Sequence, residues 1–156
     1  MDRESKDRRF GFGDNWLDFA RDLSAHQINE AEKSVRNLLR RETLAGLRFV
    51  DVGSGSGLFS LAARRLGARV HSFDRDSRSV LCTERLRDRY FPKDPDWTIE
   101  QGSILDPDYV ESLGKFDVVY SWGYCTTLAP CIMRSPRRLR WWRRRACSLS
   151  PSIAAR

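Results

Sequence analysis

Apolar positions change their period along the chain. Between Asp14 and Arg40 they recur every three or four residues, at Trp16, Leu17, Phe19, Ala20 and Leu23 and then at Ile28, Ala31, Val35, Leu38 and Leu39. That spacing predicts amphipathic helices across 14–40. Leu47 to Val52 is a short apolar and β-branched run that ends at glycines, which predicts a buried strand. Leu58 to Leu66 returns to helical spacing, and Gly67 suits its C-terminal cap. Arg69 to Asp74 then alternates as a strand that ends in an acid.

The alternation continues downstream. Asp76 or Ser77 can cap a helix through Tyr90, which Phe91-Pro92-Lys93-Asp94-Pro95 breaks. Trp97 to Glu100 predicts a third strand, Asp106 to Leu113 a short helix, and Lys115 to Ser121 a fourth strand with a buried apolar centre. Strands and helices that alternate four times predict an α/β domain, an open parallel sheet with helices on both faces and ligands at the carboxyl ends of the strands. His26 reads as a helix-surface residue and His71 as a strand residue, and neither as a catalytic base.

Composition narrows this picture. With 156 residues and 40% hydrophobic content the chain has room for one domain and one modest core. No apolar run reaches 18 residues, and Met1 to Arg9 is mostly charged, so the expectation is a cytoplasmic protein with no membrane partner. Cys82, Cys125, Cys131 and Cys147 form no Cys-x-x-Cys pair, and His26 and His71 lie far from the last three, so no metal site is expected. Of the 28 Lys+Arg, eight arginines fall in 124–156, and none of the 21 Asp+Glu does. The net charge of +7 therefore belongs to the tail, the sole place where nucleic acid could bind, and residues 1–123 form a near-neutral domain.

The chemistry sits where the first strand ends. In Asp51-Val52-Gly53-Ser54-Gly55-Ser56-Gly57 an acid precedes three glycines at spacing two. Without Cβ atoms on one side of the turn, a polar ligand can approach the backbone and the N–H groups at the following helix start. A dinucleotide fingerprint would need its third glycine at 58, where this chain has Leu58, so an NAD-dependent oxidoreductase is the lesser reading.

The loop resembles the Asp/Glu-x-Gly-x-Gly-x-Gly motif of class I S-adenosylmethionine-dependent methyltransferases, and later signals follow in that family's order over about residues 10 to 123. Asp74 ends the second strand, Gly102-Ser103-Ile104 follows the third, and Asp117 opens the fourth-strand motif Phe116-Asp117-Val118-Val119-Tyr120-Ser121-Trp122-Gly123. The resemblance implies a Rossmann-like fold, S-adenosylmethionine as cofactor, and methyl transfer. It implies cofactor contacts at Asp51, Gly53, Ser54, Gly55, Gly57, Asp74, Arg75, Ser103, Ile104 and Tyr120, with Asp74 accepting the ribose hydroxyls and Ser103-Ile104 beside the adenine. A carboxylate suits two hydroxyls at once, each charge-assisted bond contributing about 1.5 to 3 kcal/mol. At Ser103 the family often has an acid, so the backbone of Ile104 is the alternative contact.

Methyl transfer is an in-line displacement that positioning alone can largely drive, so no triad or metal is required and no catalytic residue is assigned. The resemblance places an acceptor pocket between Phe10, Phe12 and Trp16 and the end of the fourth strand, Tyr120, Ser121 and Trp122; the acceptor is unidentified, with a small molecule favoured over a macromolecule.

Residues 124–156 have no period and no acids and do not continue the fold. They read as out-of-frame translation of a longer gene, ahead of an Arg/Trp-rich nucleic-acid-binding tail or a solvated end, because a frame begun one nucleotide earlier permits a Leu-His-His string such as these methyltransferases carry after Tyr-Ser-Trp-Gly. On that reading 1–123 is the incomplete N-terminal half of the fold, with about four of seven strands, an uncovered apolar edge at the fourth strand, marginal stability and weak or no activity.

Overall fold

The computed structural model describes residues 21–122 and the backbone of 131–134. Residues 14–20 of the predicted helical segment, the aromatics Phe10, Phe12 and Trp16, and the rest of the basic tail lie outside the described residues.

Helix α1 (Ala25–Leu39) starts at a capping box: Gln27 N donates to Ser24 Oγ at 3.2 Å and Ser24 N to Gln27 Oε1 at 2.9 Å. It buries Ile28, Ala31, Val35 and Leu39 and leaves His26 exposed, as its period requires. Next come β1 (Arg48–Val52), α2 (Leu58–Arg65), β2 (Arg69–Asp74), α3 (Ser77–Tyr90), β3 (Trp97–Gln101), α4 (Pro107–Ser112), β4 (Val118–Ser121) and β5 (Cys131–Arg134). Asp76 and Asp106 cap α3 and α4 through their side chains.

The strand order is β3-β2-β1-β4-β5. The first four strands are mutually parallel and β1 is central, hydrogen-bonded to β2 on one side and β4 on the other. Strand β4 starts at Val118 rather than at the predicted Lys115, because Asp117 pairs partly through its side chain: its Oδ2 accepts the Arg48 N–H at 2.8 Å while its own N–H donates to Arg48 O at 2.9 Å. The expectation of an uncovered edge at β4 is corrected, since β5 lies antiparallel on it from Ser121↔Cys131 to Val118↔Arg134.

Alternation along each strand divides the core in two. Phe49, Val70, Trp97, Val118 and Tyr120 face α1, α2 and α3, where they pack on Val35, Leu61 and Leu86. Val50, Val52, Phe73 and Val119 face the other way and meet Ile104 and, on α4, Val110. The helices thus cover both faces, in a Rossmann-like α/β arrangement that sets the carboxyl ends of β1, β2 and β4 side by side.

Candidate functional site at the carboxyl ends of the central strands

The turn after β1 is held from two directions. Gly53 and Ser54 both donate their N–H to Phe73 O of β2, at 2.9 and 3.1 Å, and Gly57 N closes on Ser54 O at 2.8 Å. All three glycines have positive φ, at 74°, 54° and 78°. From α3, Thr83 Oγ1 lies 3.1 Å from Ser54 Oγ and Cys82 Sγ lies 3.7 Å from Ser56 O. At Gly57 a Cβ would stand 3.0 Å from Thr83 Cγ2 and Oγ1, so this glycine serves both the left-handed backbone and the close passage of α3.

Two carboxylates flank the turn. Asp74, half-buried at the end of β2, accepts Gly55 N–H at 3.0 Å and Asp76 N–H at 2.9 Å, tying the turn to the next strand. Its carboxyl is pushed up by burial, which these backbone donors partly oppose. Asp51, buried in β1, accepts from Ser60 Oγ at 2.6 Å. Burial drives its carboxyl up to about 7, the Ser60 hydrogen bond acts against that, and the charge of Asp74 adds to it.

The remaining predicted residues divide. Tyr120 stands opposite Asp51 on β4, 1% exposed, against Phe49 and Phe59 at ring distances of 5.9 and 4.8 Å. Its hydroxyl is buried without a hydrogen-bond partner among the described residues, and burial and then Asp51 push its pKa upward. Ser121 is buried and donates to Val52 O at 3.2 Å, whereas Trp122 is half exposed and stacks on Phe59 at 5.6 Å. Arg75 is exposed beside Asp74, and its carbonyl accepts from Gln101 Nε2 at 3.0 Å. After β3, Gly102 N donates to Asp74 O at 3.0 Å, Ser103 Oγ accepts Leu105 N–H at 3.2 Å, and the Ile104 side chain is buried in the second core. The turn, Asp51, Asp74 and Tyr120 are thus brought together, Ser103 and Ile104 follow the strand bonded to Asp74, and Asp117 sits at the opposite end of the sheet.

Sequence reasoning missed Ser60, Ser72 and Trp97, which extend the hydrogen bonding behind Asp51, and Thr83, which braces the turn. Each is a polar atom inside an otherwise apolar stripe, the one local signal that sets them apart.

No family profile and no curated protein matches this chain. Among solved structures it is similar to a Methanococcus maripaludis protein assigned as an S-adenosyl-L-methionine-dependent methyltransferase, with 19% identity over 79% of this chain and 54% of that one and a TM-score of 0.55. It is also similar to magnesium protoporphyrin IX methyltransferase from Synechocystis, whose structures hold the methyl donor or its product (20% identity, 78% and 48% coverage, TM-score 0.50). A third is a Plasmodium falciparum protein assigned as a protein-L-isoaspartate O-methyltransferase (22% identity, 68% and 52% coverage, TM-score 0.51). The fold is that of class I methyltransferases, and the chain spans about half the length of these structures.

Proposed function

We propose that this chain binds S-adenosylmethionine at the turn after β1 and belongs by ancestry to methyl transfer onto a small acceptor. The observation that carries the reading is the pair of carboxylates at the ends of adjacent strands, Asp51 and Asp74, joined across a three-glycine turn by the Gly55–Asp74 hydrogen bond. The donor set fits the group: Asp74 offers its oxygens to the ribose hydroxyls, Asp51 supplies negative charge towards the cationic methionine end, and the glycines leave the backbone approachable. The Tyr120 hydroxyl, opposite Asp51 and unpartnered among the described residues, is a further polar atom for the ligand. Arg75 and the Ser103-Ile104 backbone are assigned to the adenosine end, and Trp122 with Phe59 to the rim towards the acceptor. When bound, the cofactor supplies a methyl group already on a good leaving group; this chain's residues hold and orient it and exclude water. A cytoplasmic location belongs to the same proposal, supported by the unpaired spacing of the cysteines and the buried thiol of Cys82. Among the described residues no helix is long and apolar enough to cross a membrane.

Binding rather than turnover is the test, because the chain spans half of its structural neighbours. Calorimetry should show S-adenosylmethionine and S-adenosylhomocysteine binding, no comparable affinity for NAD, and a loss of about 10- to 100-fold in Asp74→Ala, the equivalent of one charge-assisted hydrogen bond. Equal affinity in wild type and Asp74→Ala, or tighter binding of NAD, contradicts the assignment.

A further inference from the structure

Four buried polar side chains on the α2-covered face of the sheet form one line. Trp97 Nε1 lies 2.9 Å from Ser72 Oγ, Ser72 Oγ 2.7 Å from Ser60 Oγ, and Ser60 Oγ 2.6 Å from Asp51 Oδ2. All four residues are buried, none more than 2% exposed. The register explains the alignment: Asp51 stands opposite Ser72, Trp97 precedes Ser72's partner Ile99 by two residues and so shares its face, and Ser60 reaches them from α2.

Chemistry at the two ends fixes the direction of the line. An indole N–H only donates, so Ser72 Oγ is the acceptor of the first link. The Ser72 proton then points to Ser60 and the Ser60 proton to Asp51 Oδ2, which accepts it. A proton on Oδ2 itself would turn the Ser60 proton back on Ser72 and cost the Ser72 proton its place in the chain, so the chain keeps Oδ2 an acceptor, and a hydrogen bond donated to a carboxylate favours its charged form.

We propose that Trp97, Ser72 and Ser60 act as a one-way hydrogen-bond chain that favours the ionised form of Asp51 for a cationic ligand, which makes the indole of Trp97, on β3 at the end of the strand order, a positioning residue for the site. The proposal rests on the turn being the S-adenosylmethionine site. The chain works against burial and against the charge of Asp74 from β2. The other titratable group facing Asp51, Tyr120 of β4, is held neutral by burial and by the charge of Asp51.

The test follows Asp51 directly, by carboxyl-carbon NMR titration of the full chain as wild type, Ser60→Ala, Ser60→Thr and Trp97→Phe, alongside calorimetry with S-adenosylmethionine over the same pH range. The Asp51 midpoint should rise by about 1 pH unit or more in Ser60→Ala, a tenfold change in its protonation constant. It should rise by less in Trp97→Phe and return to the wild-type value in Ser60→Thr, with cofactor affinity tracking each midpoint. Midpoints that stay put in both Ser60→Ala and Trp97→Phe, even with a lowered melting temperature in the latter, overturn the proposal and leave Trp97 a packing residue. Should Trp97→Phe not fold, Ser72→Ala breaks the same chain. Midpoints that move as expected in a wild type and variants that bind no S-adenosylmethionine refute the ligand while upholding the chain.

Discussion

Gly57→Ala isolates the contact that sets the shape of the turn, because the protein contains its own control. Gly57 and Gly46 share a φ of +78°, yet a Cβ at Gly46 meets nothing within 4 Å among the described residues, whereas one at Gly57 meets Thr83 Cγ2 and Oγ1 at 3.0 Å and Thr83 Cα at 3.1 Å. Both substitutions incur the left-handed strain of an L-residue, about 1 to 2 kcal/mol. At Gly57 crowding against α3 adds about 1 to 3 kcal/mol, since the close atoms include backbone that cannot swing aside. Urea unfolding should therefore find Gly46→Ala destabilised by about 1 to 2 kcal/mol and Gly57→Ala by about 2 to 5 kcal/mol. Thr83→Ala removes two of the three close atoms, so Gly57→Ala should cost less in that background, a coupling a double-mutant cycle reads out. Equal costs at Gly46 and Gly57 to within about 0.5 kcal/mol, or no coupling to Thr83, would refute the claim that α3 sets the turn.

Two further outcomes follow from charge. Burial raises the Asp51 carboxyl from an ordinary 3.8 to about 7, so the folded state keeps a proton that the unfolded chain releases, and the stability this group contributes at low pH is lost as pH rises through about 7. The stability of wild type relative to Asp51→Asn should fall between about pH 4 and pH 7 in urea titrations, and a rising difference contradicts the burial argument. Arg64 of α2 grips Asp94, ahead of β3, through Nε–Oδ2 at 2.5 Å and Nη2–Oδ1 at 3.2 Å, and this holds the Asp94 carboxyl below its usual range. Arg64→Ala should cost about 2 kcal/mol at neutral pH. That cost should shrink as pH falls through the lowered Asp94 value, and a cost unchanged by acid argues against the ion pair.

Local patterns made the parallel order, the helix caps and the glycine turn legible. Asp76 caps α3 as either of two candidates could have, Gly67 follows α2, and His71 lies in β2, because each depends on residues a few positions apart. The partnership of Asp51 and Asp74 was also readable, since a βαβ unit brings the ends of successive parallel strands together. Contacts set by register across 12 to 69 positions were not. The apolar stripes around Ser60 and Ser72 mark them as inward-facing, but only strand pairing and the descent of α2 set them in line with Trp97. Strand β4 starts later than its apolar pattern predicts because the Asp117 side chain takes up an Arg48 N–H 69 positions away. Likewise Cys131 to Arg134 carries no alternation that marks it as the antiparallel partner of β4.

The place of β1 in the sheet decides how the molecule comes apart. With hydrogen-bonded neighbours on both sides and cores against both faces, its amides should be the last to exchange with deuterium, while β3, bonded on one side among the described residues, and the six-residue α4 open earlier. The foundation of the glycine turn then outlasts its surroundings: states that have shed β3 and α4 still keep Asp51 and the start of the turn in place, a stub on which the rest can re-form.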